Sequence, residues 1–338
     1  MDKDNNILVS FLQVFGIILV VIGHAYYGDT KTSWTYAWIY SFHMPLFMFI
    51  SGYLLQYSAE RKMIALSAMP LYGSKGFIWK KVKRLLIPYL SISTVAFSLK
   101  PLFNRFAIRP AGVSFADYFR MLVYPWDNVI IFFWFLPTLF FVFMLVIYGV
   151  HFLKRMDKPV FHVCLFILCL LLHLFNPLQS IFILNLQGVT DYLIYFLLGY
   201  YGCRTHIVER LRYPIAGFVL TFLLSVCFVV EIPDFEGREL LTAINGILMS
   251  VFLGKIYTAN NWMFFHHLFG ASYAVYLFSW FPQVLSLQVF LRLTHAPYWV
   301  GGILATITGV YLPLFVYKWI IKHKQKGLGS MIAFLTGV

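Results

Sequence analysis

The 338 residues are 61% apolar and only 12% charged, with 20% aromatic side chains and a formal charge of +13. A soluble globule, in which roughly a quarter of residues are charged, has no interior large enough to hide so much apolar surface. The positive charge lies in short joints between apolar runs rather than on one amphipathic face, which argues against a nucleic-acid-binding protein and for the inside-positive bias of a multi-pass membrane protein.

About 20 apolar residues cross a hydrocarbon core, and in lipid each such run must be helical to satisfy its own backbone. The runs predict an all-α polytopic bundle of about ten transmembrane helices at 7–26, 36–57, 84–103, 129–152, 160–176, 180–203, 213–231, 239–257, 268–290 and 299–321. The first run, Ile7 to Ala25, has no strongly basic leader and no small-residue cleavage site, so it reads as mature structure rather than a signal peptide. Ten spans put both termini on one side. A cytoplasmic N-terminus then assigns 19 of the 26 Lys and Arg residues to the inside, including seven between Arg61 and Arg84, three in 154–158 and four from Lys318 to Lys326. The outer joints carry Asp29, Asp117, Asp127, Glu231, Asp234, Glu236 and Glu239. The longest, 104–128, is aromatic and mixed in charge, and Pro125 and Trp126 suggest an ordered cap. With no internal repeat, residues 1–338 read as a single domain without a soluble extension, and any active site is built between helices.

Ionisable groups inside spans are costly, so they usually face a protein interior or a wet cavity. His24 closes the first span in GHAYYG, and His43 sits in FHMPLF near the start of the second. Both fall in the outer third of adjacent helices, close enough to share a pocket. Each alone reads first as an interfacial or hydrogen-bonded side chain; together they suit general-base chemistry, since a neutral imidazole can take the proton of a hydroxyl as its oxygen attacks. Before the third helix, WKKVKRLLIPYL carries Lys80, Lys81, Lys83 and Arg84. Two readings stand for this cluster: topology signal and headgroup anchor, or capture of a phosphorylated ligand from the cytoplasm. Asp191, the one acid well inside an expected span, fits either a helix–helix contact or the orienting of a histidine. Cys164, Cys169, Cys203 and Cys227 read as apolar packing residues. His162, His173 and the His266–His267 pair lack carboxylate or cysteine companions at ligand spacing, so no metal is expected.

The strings GIILVVIGHAYYG, FHMPLFMFISGYLL, KKVKRLLIPYL, WFLPTLFF, YFLLGYYGCR and SYAVYLFSW occur in the order and spacing of the integral membrane acyltransferase family 3, which the chain resembles over nearly its whole length. That family includes bacterial enzymes that O-acetylate surface polysaccharides. The resemblance implies a multi-pass protein of the bacterial inner membrane that moves an acyl group, typically acetyl from acetyl-CoA, to a hydroxyl of a cell-surface or lipid-linked glycan. It implies His24 as the catalytic base and Lys81 and Arg84, with Lys80 and Lys83 beside them, as the residues facing the CoA phosphates. His43 and the Ser51–Gly52 pair match its second-helix motif, where Ser51 and Gly52 read as packing. One departure stands out. Family members usually carry Arg or Lys eleven positions before the histidine and an acid three positions earlier, and this chain has Gln13 and Ser10. Losing one charge of such a pair strands the other, so the double replacement reads as one coupled change.

The resemblance predicts acyl-CoA, a glycan acceptor and membrane lipids as partners, with a second copy of the chain or a polysaccharide-synthesis protein as further candidates. The rival is a glycan transporter or flippase with His24 and His43 lining its path, although no paired halves with matching broken helices are evident. A third reading is a pseudoenzyme within a polysaccharide machine. Tyr124, Trp126 and Trp299 in the outer joints read as interfacial anchors or as rings that stack on sugars.

Overall fold

The computed structural model describes residues 3–25, 33–104, 112, 114–152, 159–230, 237–325 and 327–338. Asp29, Lys154, Arg155, Lys158, Glu231, Asp234, Glu236 and Lys326, assigned above to the joints, lie outside the described residues. The described chain is helical, without strands. It runs through α1 (Lys3–Ala25), α2 (Trp34–Tyr40), α3 (His43–Arg61), α4 (Phe77–Lys81), α5 (Ile87–Phe103) and α6 (Phe115–Val123). Then come α7 (Phe135–Phe152), α8 (Pro159–Phe175), α9 (Gln187–Arg204), α10 (Ile207–Arg210), α11 (Pro214–Val230) and α12 (Arg238–Ala259). The last five are α13 (Ser272–Phe278), α14 (Trp280–Val284), α15 (Leu291–Thr294), α16 (Tyr298–His323) and α17 (Gly327–Thr336).

Among the described residues six helical segments are long and apolar enough to cross a membrane: Asn6–Ala25, Trp34–Arg61, Phe77–Leu102, Ile131–Phe152, Arg238–Ala259 and Tyr298–His323. These match six of the ten expected spans. Val160–Phe175 and Pro214–Phe228 are shorter apolar helices. The run 180–203 opens on a turn and a single 3₁₀ turn, with helix only from Gln187. The run 268–290 is broken. Pro282 has no N–H for the Phe278 carbonyl, so α13 ends there and the chain resumes as α14 and a π-helical turn, Leu285–Phe290. Helix α17 was not anticipated, because ten residues fall well short of a span.

The chain forms two compact units, one of 1–63 and 194–272 and the other of 64–193 and 273–338, divided within α9. In the first, α1 is enclosed, with Leu8, Phe11, Val14, Ile17 and Val21 all buried. It packs on α12 and α3. Gly254 of α12 admits the Leu8 and Phe11 side chains, into which a Cβ would run. At one end of the unit Leu19, Ile39, Phe42 and Met249 form a cluster that fixes α2. At the other, the buried Tyr257 ring packs against Phe11 at 4.6 Å and against Phe264 and Phe265. Lys255 Nζ donates to the carbonyls of Val208, Glu209 and Leu211, closing the C-terminal end of α10.

In the second unit, Phe77 to Phe103 is one helical run interrupted by a π-helical turn, Val82–Leu86. Pro88 cannot donate to the carbonyl of Arg84 four residues earlier. The Tyr273 hydroxyl of α13 donates to that oxygen instead. Three residues on, the Tyr276 hydroxyl donates to the Phe132 carbonyl at 2.6 Å. The end of α6 and the turn after it are pinned to α5 in the same manner: Tyr89 Oη donates to the carbonyls of Met121 and Leu122, and Asn128 Nδ2 to Ser93 Oγ.

Candidate functional site

His24 and His43 are brought together by a residue that motif reading passed over. The last residue of α2, Tyr40, lies between them: its hydroxyl is 3.4 Å from His24 Nδ1, and its ring meets His43 edge-on with centroids 4.7 Å apart. Gly23 makes this possible, since a Cβ there would press on the Tyr40 ring at 3.0 Å. Tyr36 stacks on the other side of Tyr40 at 4.0 Å and holds the ring in place. His43 is buried, and its Nδ1 is 2.8 Å from the Ile39 carbonyl. A carbonyl only accepts, so Nδ1 carries the proton and Nε2 of the neutral ring is the basic nitrogen. His24 is half-buried. The pair expected from sequence is therefore real as a cluster, with Tyr40 as its third member. The signal for Tyr40 was its place three residues before His43 at the end of an aromatic turn.

Gln13 and Ser10 lie on the same helix face as His24. Eleven residues amount to three turns plus about 20°, and the pair of polar residues sits one turn apart. Both are half-buried, whereas Phe11, Leu12 and Val14 beside them are buried. Neither makes a side-chain hydrogen bond among the described residues. Helix α1 thus carries Ser10, Gln13 and His24 on one face.

The basic residues lie in the second unit, on α4 and the π-helical turn. Lys81 Nζ sits 3.3 Å from the centroid of the Phe143 ring and 5.2 Å from that of Phe77. Lys83 lies over Trp79, and the Arg84 guanidinium over the Tyr273 ring at 4.9 Å. Lys80 and Arg84 are exposed, and Lys81 and Lys83 half-buried. Aromatic faces orient these cations without neutralising them. Among the described residues no carboxylate is paired with Lys80, Lys81, Lys83 or Arg84. Lys81, Lys83 and Arg84 set over rings, with Lys80 exposed beside them and no acid paired to any of the four, are suited to an anionic group of several charges.

Asp191 belongs to a helix-turn clamp. Asn176 Nδ2 donates to its carboxylate at 2.6 Å, Thr190 Oγ1 donates to Asn176 Oδ1, and His173 Nδ1 donates to the Asp191 backbone carbonyl at 2.7 Å. The backbone carbonyl of Asp191 thus orients the histidine. All four cysteines are free thiols. Among the described residues no three His, Cys, Asp or Glu side chains converge as a metal site.

Six helical segments long and apolar enough to cross a membrane, with no strands among the described residues, define a multi-pass, all-helical membrane protein. The chain belongs to acyltransferase family 3: its acyltransferase domain profile matches residues 7–318. No curated protein and no solved structure matches.

Proposed function

We propose that this protein is an O-acyltransferase of the bacterial inner membrane, taking an acyl group, in the simplest case acetyl, from cytoplasmic acyl-CoA to a hydroxyl of a cell-surface or lipid-linked glycan. The observation that carries this reading is the His24–Tyr40–His43 cluster in a chain of acyltransferase family 3. In this reading both termini face the cytoplasm and the apolar runs make about ten crossings, in keeping with the inside-positive charge pattern.

In this reading Tyr40 steadies the His24 ring through Nδ1, and the other ring nitrogen takes the proton of the acceptor hydroxyl as its oxygen attacks the acyl carbonyl. The carbon–sulfur bond breaks, and the thiolate leaves with the proton returned by the imidazolium. His43, fixed through the Ile39 carbonyl, keeps a second imidazole beside Tyr40. Lys81 and Arg84, with Lys80 and Lys83, hold the phosphates of the donor, which supplies the activated thioester. From Ile7 to His24, α1 rises roughly 26 Å.

The donor half of the proposal is tested with the purified protein in nanodiscs. Lys81→Gln and Arg84→Gln should each raise KM for acetyl-CoA about tenfold, one charge-assisted contact's worth, with kcat changed less. Turnover indifferent to both variants would remove the basic turn from the donor site, and transport of a lipid-linked glycan without any acyl-CoA requirement would favour the flippase.

A further inference from the structure

Trp126, Trp134 and Tyr192 form a column in the second unit. Trp126 stacks on Trp134 at 5.2 Å, with planes 18° apart, and Trp134 stacks on Tyr192 at 5.4 Å. The inner Trp134 is 8% exposed, whereas the outer Trp126 keeps 41% of its surface open. The outer ring is locked, because Trp126 Nε1 donates to Asn185 Oδ1 at 2.9 Å and Asn185 Nδ2 donates onward to Thr138. The indole N–H is thus spent inside the protein, and what faces outward is an immobile, electron-rich aromatic plane.

Asp127, the residue after Trp126, pairs with Arg120 of α6. Arg120 Nε donates to Asp127 Oδ2 at 2.7 Å, with side chains 69% and 44% exposed. Among the described residues no partner takes the remaining guanidinium N–H groups of Arg120. The pair is neutral as a whole, yet offers planar donors and a carboxylate acceptor side by side. Vicinal hydroxyls, each both donor and acceptor, match that combination, and the C–H face of a pyranose carries the weak positive charge that a π face attracts. A lipid chain satisfies the ring but not the ion pair beside it.

We propose that the open face of Trp126 is a pyranose-stacking subsite, with Arg120 and Asp127 bonding the sugar hydroxyls, and that it holds the acceptor glycan. The assignment to the acceptor rests on the acyltransferase reading above. The stacking itself does not.

The test uses the full-length protein in nanodiscs of phosphatidylethanolamine and phosphatidylglycerol. Two probes separate the sources of the sugar: chitotetraose free in solution and N-acetylglucosamine on undecaprenyl diphosphate in the bilayer. Saturation-transfer NMR should place the contact on the ring C–H face of at least one probe. Binding should weaken about tenfold in Trp126→Ala, recover in Trp126→Tyr, which keeps a stacking plane, and weaken in the exposed change Arg120→Gln. Unchanged binding in Trp126→Ala, or no transfer to either probe, would overturn the subsite. So would quenching by brominated lipid that disappears in Trp126→Phe, which would make the ring a bilayer anchor. Wild-type hydrolysis of acetyl-CoA in the absence of sugar reports on the acyltransferase reading alone, so the two proposals fail separately.

Discussion

Gly52 of α3 and Gly199 of α9 meet backbone to backbone: a Cβ on Gly52 would run into the Phe196 carbonyl oxygen, and one on Gly199 into the carbonyl oxygen of Phe49. The reciprocity means that neither helix can yield without breaking its own hydrogen-bond ladder. Small residues at a helix crossing are how backbones approach closely in a membrane, where no hydrophobic force pushes helices together. The Gly52 of the second-helix motif and the first Gly of GYYG are thus two halves of one contact.

Alanine at either position should cost about 1–3 kcal/mol or prevent folding, the usual penalty of overpacking. Gly149→Ala, where a Cβ meets nothing within 4 Å, should be silent. Thermal unfolding in detergent measures all three. Equal melting of Gly52→Ala and wild type would show that the crossing is looser than described.

Tyr273 acts on the basic turn through the Arg84 carbonyl that Pro88 leaves open. Tyr273→Phe should therefore destabilise by about 1–2 kcal/mol, the cost of an abandoned acceptor. Pro88→Ala returns an N–H at the i+4 position, so the double variant should lose less than the two single variants summed. Strict additivity in unfolding free energies would mean that the hydroxyl and the missing N–H are unrelated.

How much of this was legible beforehand follows from what each feature depends on. The six long helices, the two histidines and the basic string are local in sequence, readable from apolar run length and from ionisable residues placed against it. The role of Tyr40 is not local: it depends on α2 turning back so that one ring touches both α1 and α3, and Tyr40 is one of 22 tyrosines. The break at 268–290 was written in Pro282, but hydropathy alone read through it. The π-helical turn at Val82–Leu86 and the docking of α17 on α5, where Ser91 Oγ donates to the Leu335 carbonyl, are tertiary outcomes. Asp191 looked like a candidate because an acid inside a span is costly. The structure satisfies it through Asn176, fifteen residues earlier, which has no apolar pattern to betray it.

On α6 the pH response has a defined sign. Ser114 is the N-cap, donating from its hydroxyl to Asp117 Oδ2 at 2.6 Å and accepting from Asp117 N–H at 3.2 Å. The Ser114 hydroxyl, and then its backbone N–H, hold the Asp117 carboxyl below the usual carboxylate range. A depressed folded-state pKa adds stability above the unfolded value, and that stability is lost as pH falls through the folded value. The start of α6 should stay capped on acidification until below the ordinary titration of aspartate. Ser114→Ala should raise the Asp117 pKa towards its ordinary value, read by carboxyl NMR on labelled protein. An unmoved titration would rule out the capping box as the cause.

The central claim is that His24 is the base in an acyl transfer. The most direct measurement follows label from acetyl-CoA to lipid-linked glycan by the purified protein in nanodiscs, with His24→Gln beside the wild type. The account predicts label on the glycan in the wild type and a fall in kcat of about 10²–10⁴ in the variant, the range for loss of a general base, at unchanged thermal stability. Transfer at the wild-type rate by the folded His24→Gln protein would contradict it.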